Sequence, residues 1–241
     1  MQIDILTLFP EMFKGPFDES IIKRAVSKHL IKIKIHNLRK WTKDQHKTVD
    51  DEPYGGGVGM LLKPEPILTA ISELKGKYIK EVGKKIGLSH SILLTPDGTT
   101  FNYRIARKLS ALSHLVLICG RYEGIDERVH EAVDERISIG DYILSGGEIP
   151  AMVVTEAIIR LVEGVLGKEA SHENESFGYL GKLLKYPQYT RPENFVGHKV
   201  PEVLLSGDHK KIEDWRKKMA YERTKKYRPD LLGNLQDKDF E

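Results

Sequence analysis

The sequence predicts an α/β fold on a mostly parallel sheet, followed by a small helical unit. Three observations predict it. Along residues 1–162, short apolar runs alternate with segments of helical period, the pattern of a sheet with helices packed on its faces. Three of the apolar runs lead into glycine-bearing turns: Pro96-Asp97-Gly98, Gly120-Arg121-Tyr122-Glu123-Gly124 and residues 140–147. In parallel sheets ligands bind outside the carboxyl ends of the strands, so these turns gather at one edge as a candidate pocket. Finally, prolines punctuate an extended region after residue 183, and a helical pattern rich in Lys and Arg follows at 208–227.

The elements read in order as follows. Ile3, Ile5 and residues 6–9 form a first strand that Pro10 stops. Ile21, Ile22, Ala25, Val26 and Leu30 repeat with helical period. Residues 31–35 alternate strictly between Ile and Lys, a strand with one solvated face. A long polar stretch, 41–60, ends in a Gly-rich tract at 55–59; loops of that length are usually functional or disordered. Pro64 and Pro66 open a helix that runs through Leu74, since proline is tolerated in a first turn. Residues 75–90 read as a basic surface excursion, and 91–98 as a short buried strand ending in a turn. A helix at 102–109, a strand at 114–119, a helix at 125–132 and a strand at 133–139 come next. The helix at 148–162 then presents Ile149, Met152, Val153, Ala157, Ile158 and Leu161 to the core.

The Gly-rich residues 139–151 are the centre of this reading. They suit either a ligand loop, where main chain touches the ligand and a following helix aims free N–H groups back at it, or a plain connector. The three converging turns favour the ligand. Residues 163–182 are polar and contain several glycines, as expected of a linker or lid. The domain plan is therefore 1–162, a lid at 163–182, and 183–241. Residues 208–228 carry nine Lys or Arg against four Asp or Glu, with Trp215, Tyr221 and Tyr227 interleaved. Ser206 is the expected N-cap. The segment reads either as a solvated helix with a narrow seam of Ile212, Trp215 and Met219, or as a phosphate-binding face.

Composition bounds the classes. The 241 residues are 40% hydrophobic and 30% charged, enough for one or two domains. A formal charge of +3 does not by itself mark a nucleic-acid binder. Cys119 is the only cysteine, which excludes an intrachain disulfide and fits a cytoplasmic location. No apolar run approaches the ~18 residues of a membrane span, and residues 1–10 read as a strand, not a signal peptide. The sequence holds no P-loop, no zinc-ligand spacing and no nucleophile elbow, and the glycines at 55–59 follow acidic residues where a dinucleotide fingerprint requires an apolar strand.

Several blocks in one order then carry a specific resemblance: residues 5–13, 54–60, 119–128, 139–151, 164–167 and 189–192. The chain resembles the TrmD family, bacterial methyltransferases of the SPOUT class that act on N1 of guanosine at position 37 of tRNA. That resemblance implies a deep trefoil knot in the C-terminal half of the α/β domain, a feature that general folding rules would have excluded. It implies S-adenosylmethionine bound there by Pro96, Gly98, Gly120, Ile139, Gly140, Asp141, Tyr142, Ile143, Leu144, Gly146 and Gly147. It implies that Tyr54, Gly55, Gly57, Arg121 and Glu123 receive the guanine, Glu123 having the alternative of an ion pair with Arg121 or Arg128.

The family also implies a homodimer in which each site is completed by the lid and C-terminal unit of the other subunit, with the 208–228 helix holding the tRNA anticodon arm. Its charge-stabilising arginine corresponds to Arg160, for which a plain surface position is the alternative. Its general base is an Asp in an Asp-Ser-Phe triplet, and here the triplet is Glu175-Ser176-Phe177. Glu175 is therefore the expected base, one methylene longer than the family residue, with Glu173 a weaker candidate. Leu93 stands where the family has a tyrosine near the adenine, leaving an apolar wall. A magnesium requirement is compatible with the family, but the sequence holds no dedicated motif for it. The alternatives are a knotted enzyme acting on another RNA such as rRNA, and a non-enzymatic RNA-binding protein with a degenerate pocket.

Overall fold

The first unit is organised by strands whose alternate residues feed two different cores. The structure is a computed structural model that describes residues 1–82, 89–166, 175–178, 180 and 182–233. Its elements up to the middle of the chain are β1 (Gln2–Thr7), α1 (Ser20–Ser27), β2 (Lys32–Asn37), β3 (Asp50–Asp51), β4 (Leu61–Leu62), α2 (Pro64–Val82), β5 (Ser89–Thr100), α3 (Tyr103–Ser110), β6 (His114–Cys119), β7 (Gly124–Ile125), α4 (Glu127–His130), β8 (Glu135–Ser138) and α5 (Glu148–Ile159). Five strands form one parallel sheet in the order β2-β1-β6-β5-β8. Ile3, Ile5, Leu115, Leu117 and Cys119 face α1, α3 and α5, while Leu6, Val116 and Ile118 face α2. β1 and β6 are buried along their whole length, as strands covered on both faces must be. A small second sheet, β3-β4-β7, joins the 50s loop to the turn after β6.

The structure departs from the sequence expectations at several places. α2 continues eight residues past Leu74 to Val82, so that part of the expected surface excursion is helix; residues 83–88 of it lie outside the described residues. β5 does not stop at its turn. It bulges between Leu94 and Thr99, both of which pair with Ile137, so Pro96-Asp97-Gly98 is an excursion within one strand. The helix expected at 125–132 is reduced to α4, because Gly124 and Ile125 pair with Leu61 and Leu62. α5 turns a different face inward: Ala151, Val154, Ile158 and Ile159 are buried, while Ile149 and Val153 are 50% and 45% exposed. The helix is apolar on nearly every side, so periodicity could not choose its buried face.

The chain divides into two compact units, Met1–Leu166 and Gly167–Glu241. The second contains a hairpin of β9 (Asn194–Phe195) and β10 (His198–Lys199), then α6 (Glu202–Leu205) and α7 (His209–Tyr227). Its core is Leu183 against Ala220 and Tyr221 of α7, with Tyr186 and Leu232 alongside. The Leu184 N–H donates to Thr224 Oγ1 (2.9 Å). The buried stripe of α7 is thus Ala220, Tyr221 and Thr224, not the expected Ile212, Trp215 and Met219 seam, which is only partly covered. Its N-cap is Asp208, whose carboxylate accepts from the Lys211 N–H (3.1 Å); Ser206 instead accepts from the Asp208 N–H (3.2 Å). No helix among the described residues is long and apolar enough to cross a membrane.

Candidate active site

The carboxyl ends of β5, β6 and β8 surround a cavity of about 470 Å³, within the roughly 300–1,000 Å³ usual for small-molecule sites. Its walls are the β5 bulge, the turn after β6 and the long loop after β8. The two later loops are stitched together by main chain. Arg121 and Gly146 form a β-bridge, and the Gly147 N–H donates to Gly120 O (2.8 Å). This approach is possible only without a side chain at 147, where a Cβ would lie 2.6 Å from Cys119 Cα. Gly140 has φ +148°, and Tyr142 folds its ring back to where a Cβ on residue 140 would sit, its hydroxyl donating to Ile139 O (3.2 Å). At the bulge, Gly98 abuts the backbone of Ile137 with no room for a Cβ.

The lining is mostly main chain and aliphatic: Leu93, Leu94, Pro96, Ile137, Ile139 and Leu144, with Arg121 and Glu123 on the polar side. Such a cavity suits a flat, uncharged heterocycle with a short polar tail, because apolar walls take the ring faces and main-chain N–H and C=O groups take its edges. Among the described residues no group of His, Cys, Asp and Glu is arranged to hold a metal ion. Three further residues of this region have no role assigned from the sequence. Tyr122 lines the cavity at φ +61°, and burial together with the Asp50 carboxylate beside its hydroxyl raises its pKa. His130 also lines it; its Nδ1 is buried without a hydrogen-bond partner, 3.6 Å from Asp97 Oδ2. Asp97 is held below the usual carboxylate range by the Thr95 hydroxyl, with His130 and Arg136 adding to it. Behind the wall, Glu148 is 1% exposed. Nothing in the residue types marks these three, because neighbours brought by the fold give them their place.

Residues 1–234 match the family described as tRNA (guanine-1)-methyltransferase TrmD. The chain belongs to the TrmD family. Relatives named tRNA (guanine-N(1)-)-methyltransferase include one from Dictyoglomus turgidum, 55% identical over 100% of this chain and 94% of its own length. Others come from Carboxydothermus hydrogenoformans, 55% identical over 96% of this chain and 87% of the relative, and a Geobacter species, 51% identical over 98% and 91%.

In this TrmD-family chain the nominated site residues are brought together only in part. Pro96, Gly120, Ile139, Gly140, Tyr142, Ile143, Leu144, Gly146, Gly147, Arg121 and Glu123 line the cavity; Gly98 and Asp141 do not. Tyr54, Gly55 and Gly57 stand apart in the 53–60 loop, Tyr54 fully exposed. That loop is tied to the cavity through Glu123, whose N–H donates to Met60 O (3.1 Å) and whose side chain lies against Gly59, where a Cβ would not fit. Arg160 is the C-cap of α5, its N–H donating to Glu156 O (3.1 Å). Glu175 belongs to the second unit. Its neighbours are pinned there: Ser176 Oγ accepts from the Lys185 N–H (3.1 Å), and the Phe177 N–H donates to Leu183 O (2.9 Å). Glu173 and half of the expected lid lie outside the described residues.

Proposed function

We propose that this protein transfers a methyl group from S-adenosylmethionine to N1 of the guanine at position 37 of tRNA. The observation that carries the proposal is the match to the TrmD family over residues 1–234, and the cavity at the sheet's carboxyl edge supports it. The cavity fits the donor: its aliphatic slot suits an adenine, and it presents main-chain groups in place of a basic phosphate cradle. Pro96, Gly120, Ile139, Gly140, residues 142–144, Gly146 and Gly147 would hold it. When bound, S-adenosylmethionine supplies an electrophilic methyl group.

The rest of the chemistry falls to the chain. Guanine N1 carries a proton at neutral pH, so a base must take it as the nitrogen attacks. The reading gives that role to Glu175. Negative charge then grows on the purine and its exocyclic oxygen, where Arg160 would meet it. Arg121, Glu123 and the 54–57 loop would receive the guanine, extruded from the anticodon loop as base chemistry requires. Several finer features belong to the same proposal. One is a trefoil knot, supported by the way the chain passes from β8, beyond β5, to an α5 packed on β6 and β1. The others are a lid at 163–182, a helical RNA-binding domain at 183–241, a cytoplasmic homodimer with sites shared between subunits, and any part played by magnesium.

The test is methylation of an unmodified tRNA with guanine at position 37, and of the same tRNA with adenine there, with and without magnesium. The expected product is 1-methylguanosine in the first RNA alone. Methyl transfer to rRNA or to another nucleoside would overturn the assignment. Glu175→Gln should lower kcat by about 10²–10⁴-fold, Glu175→Asp far less, with the affinity for S-adenosylhomocysteine unchanged in both. Near-normal turnover of the Gln variant would move the base elsewhere.

A further inference from the structure

Glu148 is the first residue of α5 and is buried. Its Oε1 accepts from the Thr7 hydroxyl (2.8 Å). Its Oε2 has no hydrogen-bond partner and lies 3.7 Å from Arg121 Nη1. Thr7 also sets the turn leaving β1, where its Oγ1 accepts from the Phe9 N–H (2.9 Å). The Phe9 ring, in turn, lies under the Arg121 guanidinium at 4.5 Å. Thr7, Glu148, Arg121 and Phe9 thus close a circuit joining the end of β1, the start of α5 and the turn after β6.

Gly146 stands inside this circuit. A Cβ there would be 2.5 Å from Glu148 Oε2 and 2.6 Å from Arg121 Nη1, so any side chain would wedge carboxylate and guanidinium apart. The glycine keeps that passage open. A carboxylate buried with one oxygen unbonded is a poor structural filler, since an aliphatic side chain would avoid the desolvation. What accounts for it is the cation it faces.

We propose that Glu148 is a positioning residue that, with Thr7 and Phe9, fixes Arg121 for the RNA substrate. The inference rests on the reading of Arg121 as a substrate-binding residue. Held between a ring face and a buried carboxylate, the guanidinium keeps part of its edge exposed at the cavity wall, oriented before RNA arrives. Pre-orientation of this kind removes an ordering cost from binding.

A double-mutant cycle in the full chain tests this, with tRNA binding, tRNA KM, kcat and S-adenosylhomocysteine binding measured for each protein. Glu148→Gln keeps the acceptor for Thr7 and removes the charge. It should weaken tRNA binding and raise the tRNA KM by roughly tenfold, the scale of one charged hydrogen bond, while S-adenosylhomocysteine binds within about twofold of wild type. Adding Glu148→Gln to Arg121→Ala should cost nothing further. Multiplied penalties, or equal loss of S-adenosylhomocysteine binding, would overturn the proposal. If Glu148→Gln does not fold, Phe9→Leu removes the other face of the cradle and must show the same selective loss of tRNA affinity; unchanged affinity also overturns it. Wild-type protein that binds tRNA but methylates nothing sinks the methyltransferase reading alone, because the binding cycle still reads the coupling; wild-type protein that binds no tRNA sinks both.

Discussion

Gly147 and Gly76 show two opposite demands on the same residue type. At 147 a Cβ would meet Cys119 Cα at 2.6 Å and Gly120 N at 2.8 Å, both of them backbone atoms that cannot swing aside. At 76, inside α2, a Cβ would meet nothing within 4 Å. Gly147→Ala should therefore destabilise the fold by about 1–3 kcal/mol, the cost of overpacking. Gly76→Ala should stabilise it by about 0.5–1 kcal/mol, through lower backbone entropy in the unfolded chain. Urea unfolding of the two variants checks both signs; a neutral Gly147→Ala would mean the two loops can part at little cost. The same contrast shows what could be read from the residues. The tract at 140–147 announces close approach, but the approaching partner, the turn at 119–121, lies well over twenty residues earlier in the chain. Hence Gly146 and Gly147, assigned to a ligand on sequence grounds, also serve loop-to-loop contacts, and Gly98 serves the passage of β8.

Elements with one dominant signal were legible, and those with two were not. β6 spans the predicted 114–119 because five consecutive apolar residues, Leu115 to Cys119, run up to a glycine. α3 starts after Asn102, whose side chain caps the Ile105 N–H (3.1 Å). α5 and β5 each held competing signals, an all-round apolar helix and a strand interrupted by Pro96. The polar end of the sheet was invisible for another reason: its partners come from four elements. Asp4 of β1 accepts from Gln2 (2.5 Å), His36 of β2 lies 2.5 Å away and His114 of β6 2.7 Å, with Tyr78 of α2 stacked on His114 at 4.3 Å. Burial alone would raise the Asp4 carboxyl, but the hydrogen bonds from His114, His36 and Gln2 outweigh it and hold it far below its ordinary 3.8. A carboxyl depressed in the folded state adds stability that is complete above the unfolded pKa and is lost as pH falls toward the folded one. Asp4→Asn should cost about 3 kcal/mol at neutral pH and flatten the decline of stability between about pH 5 and pH 2. Urea midpoints measured across that range decide it; parallel acid limbs in wild type and variant would show that Asp4 does not titrate against folding.

For the whole molecule, a formal charge of +3 on 241 residues gives too weak a field to explain RNA binding by itself. Local concentration has to do so, and the densest is 208–228, nine Lys or Arg against four Asp or Glu. The fold spends some of these cations internally. Arg216 lies over the Tyr186 ring at 5.0 Å and 3.7 Å from Glu213, and Arg228 pairs with Asp230 at 2.7 Å. Lys217 and Lys218 instead sit on the exposed side of α7, whose buried stripe is Ala220, Tyr221 and Thr224. Under the proposed function these two lysines meet tRNA phosphates, and each contact made releases condensed counterions. The logarithm of tRNA affinity should then fall with the logarithm of salt concentration, and replacing both lysines by alanine should make that slope shallower by about 1.5–2. The weakening should be equal for tRNAs of different sequence, because phosphate contacts carry no base information, and S-adenosylhomocysteine binding should not change. Filter binding over a KCl series checks it. A variant with wild-type slope would show that RNA lies elsewhere, leaving α7 as a solvated helix that packs the second unit.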